Sequence, residues 1–138
     1  MAALDEAVTP TQLSLRFLRD DGWLVDVCER WVPAPGGRVR RDLFGMIDLV
    51  AVRGAETMGV QTTSHTNALA RLNKMQDDEH AVALEALHAA GWLLVVHGWR
   101  KSTRDGHACQ HESKRCGCRY TLHRFITVTP LNEDERAL

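Results

Sequence analysis

The succession of periodic segments along this chain points to an α/β sandwich, a mixed sheet carrying helices, in the order α-β-β-β-α-α-β-(insert)-β. Segments with an apolar stripe at helical spacing alternate with short runs rich in β-branched residues. Trp92-Leu93-Leu94-Val95-Val96 is a continuous apolar run, as expected of a strand covered on both faces.

Thr9-Pro10-Thr11-Gln12 reads as a helix start: a threonine N-cap, proline in the first turn, and Gln12 closing a capping box. Leu13, Phe17 and Leu18 supply its apolar stripe, and Gly22 is a fitting stop. Trp23–Val32 reads as a strand. Pro33-Ala34-Pro35-Gly36-Gly37 reads as a loop, its prolines and glycines arguing against regular structure. Leu43–Val52 and Thr57–Thr63 read as two strands joined through a hairpin at Arg53-Gly54-Ala55-Glu56. Ser64 is placed to cap a helix over His65–Met75, with Ala68, Leu69, Leu72 and Met75 on one side. A second helix is expected over Asp78–Ala90, stopping at Gly91, and a last strand over Tyr120–Val128, before a frayed tail at Asn132–Leu138.

The 138 residues suit a single domain, residues 1–138, and 44% hydrophobic with 25% charged residues is ordinary for a globular chain. A net charge of −1 gives no global nucleic-acid footprint. The distribution is less even. Arg38, Arg40 and Arg41 cluster, and a second basic stretch holds Arg100, Lys101, Arg104, Lys114, Arg115 and Arg119, whereas acids gather near the termini and at Asp77-Asp78-Glu79. Local patches of this kind can bind phosphates. No apolar run has the length of a membrane span, and Met-Ala-Ala-Leu-Asp-Glu does not read as a signal peptide. The expectation is a protein of the reducing cytoplasm, with no membrane partner.

The chemistry-bearing positions lie in the middle strands. Asp48 interrupts an apolar run, and Gln61 and Thr63 share one face of the next strand. An unpaired buried carboxylate costs several kcal/mol, so Asp48 calls for a partner. In a hairpin, Asp48 can sit beside Gln61. A carboxylate and an amide carbonyl are hard oxygen ligands that suit Mg²⁺ or Mn²⁺, and such an ion can activate water at a phosphodiester. Blander readings stay open. Asp48 could cap a turn or pair with Arg41, Gln61 and Thr63 could form a solvated strand face, Glu29 a surface ion pair, Asp42 an orienting partner for Arg40, and Lys74 a solvated helix lysine.

Helix, strand, Gly45-x-x-Asp48 in a second strand and Gln61-x-Thr63 in a third resemble the PD-(D/E)XK nuclease superfamily over residues 9–100. Glu29-Arg30-Trp31, Arg41-Asp42-Leu43-Phe44-Gly45 and Gln61-x-Thr63-Ser64 are similar to its small Holliday-junction-resolvase-like, phage-type members. The resemblance implies a restriction-endonuclease-like αβββαβ core. It also implies a metal-dependent DNA endonuclease or resolvase-like enzyme that hydrolyses phosphodiester bonds in branched or recombination DNA, acting as a homodimer in a bacterial or phage-infected cell. Asp48 takes the metal-binding aspartate's role. The second acidic ligand falls on Gln61 and the catalytic lysine on Thr63, both departures. Lys74 or Arg71, on the following helix, could supply the missing positive charge. The first-helix acid is also missing, with Gln12 nearest, and Glu29 or Asp42 could substitute. Arg38, Arg40 and Arg41, with Arg100 and Lys101, would grip phosphates. The departures equally fit a catalytically degenerate DNA-binding or assembly module of the same fold.

A second constellation lies in the insert at residues 102–119. Cys109, His111, Cys116 and Cys118 would give a Cys₃His set for structural Zn²⁺, with His107 competing for the histidine place. A metal can fold a polar segment that lacks its own core, whereas the alternative is a loop with free thiols. Elsewhere, Cys28 reads as a small core residue, His65, His80 and His88 as helix-surface histidines, and His97 and His123 as core or site-supporting. Trp92 and Trp99 read as packing residues, and core packing is favoured over base stacking for Trp31.

Overall fold

A computed structural model describes residues 8–101 and 120–129. The candidate zinc ligands Cys109, His111, Cys116 and Cys118, with His107, lie outside the described residues, as does the tail. Helix α1 spans Pro10–Asp20, and strand β1 Leu24–Val27. A ribbon of β2 (Arg30–Ala34) and β3 (Gly37–Arg41) precedes β4 (Leu49–Arg53) and β5 (Glu56–Ser64). A 3₁₀ turn at His65–Asn67 leads into α2 (Ala68–Met75) and α3 (Ala81–Ala89), then β6 (Leu93–Lys101) and β7 (Tyr120–Thr127).

The main sheet has the order β1-β4-β5-β6-β7. β1, β4 and β5 run antiparallel, β5 and β6 pair in parallel, and β7 returns antiparallel to β6. The mixed sheet follows from the connections. A two-residue turn at Gly54-Ala55 joins β4 to β5, whereas a parallel β6 needs the long crossover through α2 and α3. Alternation along the strands splits the core in two. Val60, Met58 and Val95 pack with Leu18, Trp23 and Val25 on the α1 side, whereas Leu94 and Val96 pack with Ala68, Met75, Leu84 and Leu87 on the α2–α3 side. β6 is therefore buried on both faces, which is why its sequence is an unbroken apolar run.

The capping box on α1 forms as its residues predict: Gln12 N bonds Thr9 Oγ1 at 3.2 Å and Thr9 N bonds Gln12 Oε1 at 3.1 Å. Other expectations need correction. The strand expected over Trp23–Val32 breaks at Cys28-Glu29, and the proline- and glycine-rich stretch expected as a loop supplies both strands of the β2–β3 ribbon. Only Pro35-Gly36 turns, and Pro33 is tolerated because a two-stranded ribbon has free edges. The strand expected over Leu43–Val52 begins only at Leu49; Leu43–Ile47 is a tight turn closed by reciprocal bonds of 3.0 Å between Leu43 and Ile47. Gly45 therefore lies in a turn rather than a strand. The helix after Ser64 starts three residues late, and the Ser64 side chain bonds Thr66 rather than capping. The helix expected from Asp78 begins at Ala81, and Leu69 is exposed.

Candidate active site

The start of β4, the C-terminal half of β5, the N-terminus of α1 and helix α2 converge at one end of the sheet. Their side chains line a cleft of about 360 Å³ bordered by Pro10, Thr11, Glu29, Arg40, Asp42, Asp48, Gln61, Thr62 and Arg71. Asp48 lines it, one residue before β4, and is 5% exposed. Its backbone is held from both neighbours, by Asp48 N to Val60 O at 2.9 Å and Cys28 N to Asp48 O at 2.8 Å.

One carboxylate oxygen of Asp48, Oδ2, accepts three hydrogen bonds: from Gln61 Nε2 at 2.7 Å, from Thr62 N at 2.7 Å and from Thr62 Oγ1 at 3.1 Å. The Thr62 hydroxyl lies 2.8 Å from Thr11 Oγ1, which ties the first turn of α1 into the same network. Strand alternation sends Gln61 to the α2 side and Thr62 to the α1 side, so Asp48 is clasped from both faces. With Oδ2 filled, Oδ1 is the oxygen left for an outside partner.

That partner faces acids. Carboxylate oxygens of Glu29, Asp42 and Asp48 all lie within 4.8 Å of one another. Burial, and then the neighbouring Asp42 charge and hydrogen bond, push the Asp48 carboxyl up to about 6, against the stabilising bonds from Thr62. Glu29 is partly neutralised by an ion pair with Arg40 from β3. Three converging carboxylates, with the Arg40 and Arg71 guanidiniums also lining the cleft, form a group of hard oxygens that could hold a divalent cation. In the described arrangement Gln61 turns its amide nitrogen to Asp48. To serve as a ligand itself, it would present Oε1, which a rotation of the terminal amide supplies.

The remaining expected site residues are less central. Thr63 is buried and does not line the cleft, and Lys74 is exposed in the last turn of α2, also off the cleft. Arg71, one turn earlier, does line it. Arg38 and Arg41 are exposed along β3, and Arg100 and Lys101 are exposed at the end of β6. Gln12 is occupied in the capping box. Sequence reasoning missed Thr11 and Thr62. Alternation assigned Thr62 to the face away from Gln61, which is correct, but Asp48 lies at the sheet end where both faces are within reach. A threonine in the first turn of a helix that packs on the β5 end is the signal that could have found Thr11.

Several histidines also differ from expectation. His80 is buried at 6% exposure with Nδ1 2.8 Å from Asp77 Oδ1, and the Nε2 of His88 is buried without a partner among the described residues. Trp31 is 62% exposed, so core packing is ruled out for it. Cys28 is a free, half-buried thiol pushed up by burial and then by Asp26.

Comparison with known proteins gives no match: no family model, curated protein or solved structure aligns with the chain. What the fold and site define is an α/β domain with a cluster of three carboxylates in a cleft at one sheet end, and its function has to be argued from that site.

Proposed function

We propose that this protein is a metal-dependent DNA endonuclease of the PD-(D/E)XK type, acting on branched or recombination DNA. The observation that carries the reading is the buried Asp48 at the head of β4, hydrogen-bonded across to Gln61 on β5 and converging with Asp42 and Glu29. The succession of helix, three antiparallel strands, helices and a parallel strand supports the αβββαβ core, with the β2–β3 ribbon inserted between its first two strands.

Asp48 and Asp42 would hold Mg²⁺ or Mn²⁺, with Gln61 and Glu29 completing the set. Bound there, the cation would lower the pKa of a water and stabilise charge on the phosphodiester. The residues of the chain do the rest. Thr62 fixes the Asp48 carboxylate through Oδ2, and Gln61 holds the same oxygen until its amide turns to offer Oε1. Arg71 supplies positive charge toward a phosphate from α2, in the role the superfamily gives to a lysine, in place of Thr63 and Lys74. A guanidinium offers a two-pronged match to phosphate oxygens but is no proton donor, so the leaving oxygen takes its proton from solvent. Arg38 and Arg41 reach from the ribbon toward flanking phosphates. A homodimer would present two such clefts to a branched duplex, and a zinc-bound insert at Cys109, His111, Cys116 and Cys118 would add a basic contact.

The second reading, a binding or assembly module without turnover, is favoured by one specific observation: no lysine among the described residues lines the cleft. Cleavage of four-way junction, flap and linear DNA with Mg²⁺ or Mn²⁺ separates the two. Wild type is expected to cut and Asp48→Ala to lose at least 100-fold, in line with removal of a charge-stabilising group. Equal rates for both proteins defeat the enzyme reading, whereas tight binding without cutting under any metal selects the module.

A further inference from the structure

Asp42 is a wall shared by two cavities. On one side is the acidic cleft; on the other is a cavity of about 410 Å³ bordered by Arg30, Arg41, Asp42, Phe44, Glu79 and His80 among others. Its size is that of a small-molecule site. Two guanidiniums stand on its rim from adjacent positions of the ribbon, where Arg30 pairs with Arg41. Its floor is the buried His80, whose ring is oriented by Asp77. The turn above it is built around Phe44 and Gly45, both with positive φ, 54° and 73°, and closed by Met46 N to Leu43 O at 3.2 Å.

That turn favours asparagine, aspartate or glycine at the position of Phe44, because a bulky residue at positive φ is strained. Gly45 is required twice over: it needs no Cβ at its own positive φ, and a Cβ there would lie 3.3 Å from His80 Nε2. Phe44, by contrast, belongs to none of the packed core clusters. Its side chain is 54% exposed at the mouth of the cavity. Strain without burial is a pattern found where a side chain is held out for a ligand.

We propose that this cavity receives an unpaired nucleotide of the DNA, its base stacked on Phe44 and its phosphate held by Arg30 and Arg41. The inference rests on the DNA reading above and names the substrate feature recognised. A base inside a duplex has both faces covered by its neighbours and cannot offer one to Phe44. A base at a fork, flap or junction can, and the strand carrying it then passes Asp42 into the acidic cleft. Stacking of one base on an aromatic ring changes affinity roughly 5- to 150-fold.

The test is binding in EDTA, where nothing is cut, of a splayed-arm DNA and of a blunt duplex of equal length. Wild type is expected to bind the splayed DNA at least about 5-fold more tightly. Phe44→Asn, which suits the left-handed backbone and so keeps the turn, is expected to erase that ratio, and Phe44→Trp to keep it. Equal wild-type affinities overturn the proposal, as does a Phe44→Asn loss that is the same on both DNAs, or loss of the ratio in Phe44→Trp. No binding to either DNA would remove the DNA reading itself. Cleavage by a protein that shows no splayed-arm preference would sink this inference alone.

Discussion

Two buried residues make opposite demands on pH. Asp48 has its carboxyl raised to about 6 by burial and by Asp42, so the folded state prefers it protonated. Its ionisation destabilises the fold at neutral pH, and that penalty is relieved as pH falls from about 6 toward its unfolded value. His97 is fully buried, with Nδ1 2.9 Å from Ser14 Oγ, and the same hydroxyl accepts from Trp99 Nε1 at 2.8 Å. Burial lowers the imidazole to about 4, so the folded state prefers it neutral. Its contribution is complete above the unfolded value near 6.5 and is lost as pH falls through about 4. In metal-free wild type the two slopes oppose each other between pH 4 and 6. Asp48→Asn keeps an oxygen for the Gln61 and Thr62 donors while removing the charge beside Asp42. Urea melts should show it more stable than wild type at pH 8 by about 1–3 kcal/mol, and steadily losing stability below pH 6.5. His97→Gln should show the reverse trend, gaining stability as pH falls from 6 to 4. A flat profile in either variant would contradict the burial assigned to the other group.

Elements differ in how much of themselves they write into the sequence. Helix α1 was legible because its start is chemical: a cap, a proline and a reciprocal glutamine define it without reference to the rest of the fold. The β2–β3 ribbon was illegible for the opposite reason. Proline and glycine count against a strand on average, but a free-edged ribbon leaves Pro33 no ladder bond to lose, and Pro35-Gly36 is the turn itself. Leu43–Ile47 read as strand because its residues are apolar, and only the positive φ of Phe44 and Gly45 reveals the turn. The Asp48–Gln61 pair was legible since period-two alternation and a short hairpin fix who meets whom. The contribution of Thr11 was not, because it depends on where α1 docks. That docking makes a prediction. Thr9→Ala should cost about 1 kcal/mol by loss of the cap, read as a lower urea midpoint. Since Thr11 in that same first turn holds Thr62, metal affinity should fall with it, whereas Arg19→Ala at the far end of α1 should leave metal affinity unchanged.

Across the whole molecule the charges nearly cancel, at −1, yet they are sorted in space. Acids converge in the cleft, and the arginines of β2 and β3 stand on a ribbon that pairs with no strand of the main sheet. A neutral total provides no long-range pull on DNA, so under the proposed nuclease function affinity has to come from a few short contacts. Of the arginines near the cleft, Arg40 is already paired with Glu29, which leaves Arg30, Arg38, Arg41 and Arg71 for phosphates. Each neutralised phosphate releases counterions and contributes about −0.9 to the slope of log K against log salt, so four contacts predict a slope of about −3.6. Arg38→Gln should weaken binding to every DNA alike and flatten that slope by about 1. Arg40→Gln should leave the slope unchanged, because its charge serves Glu29; by freeing that carboxylate it should instead tighten Mg²⁺ binding, whereas Asp48→Ala weakens it. The measurement is anisotropy of labelled junction DNA over a salt series at one fixed divalent concentration. A slope near zero would mean that the ribbon does not touch the backbone, and equal slopes for Arg38→Gln and wild type would take Arg38 out of the interface.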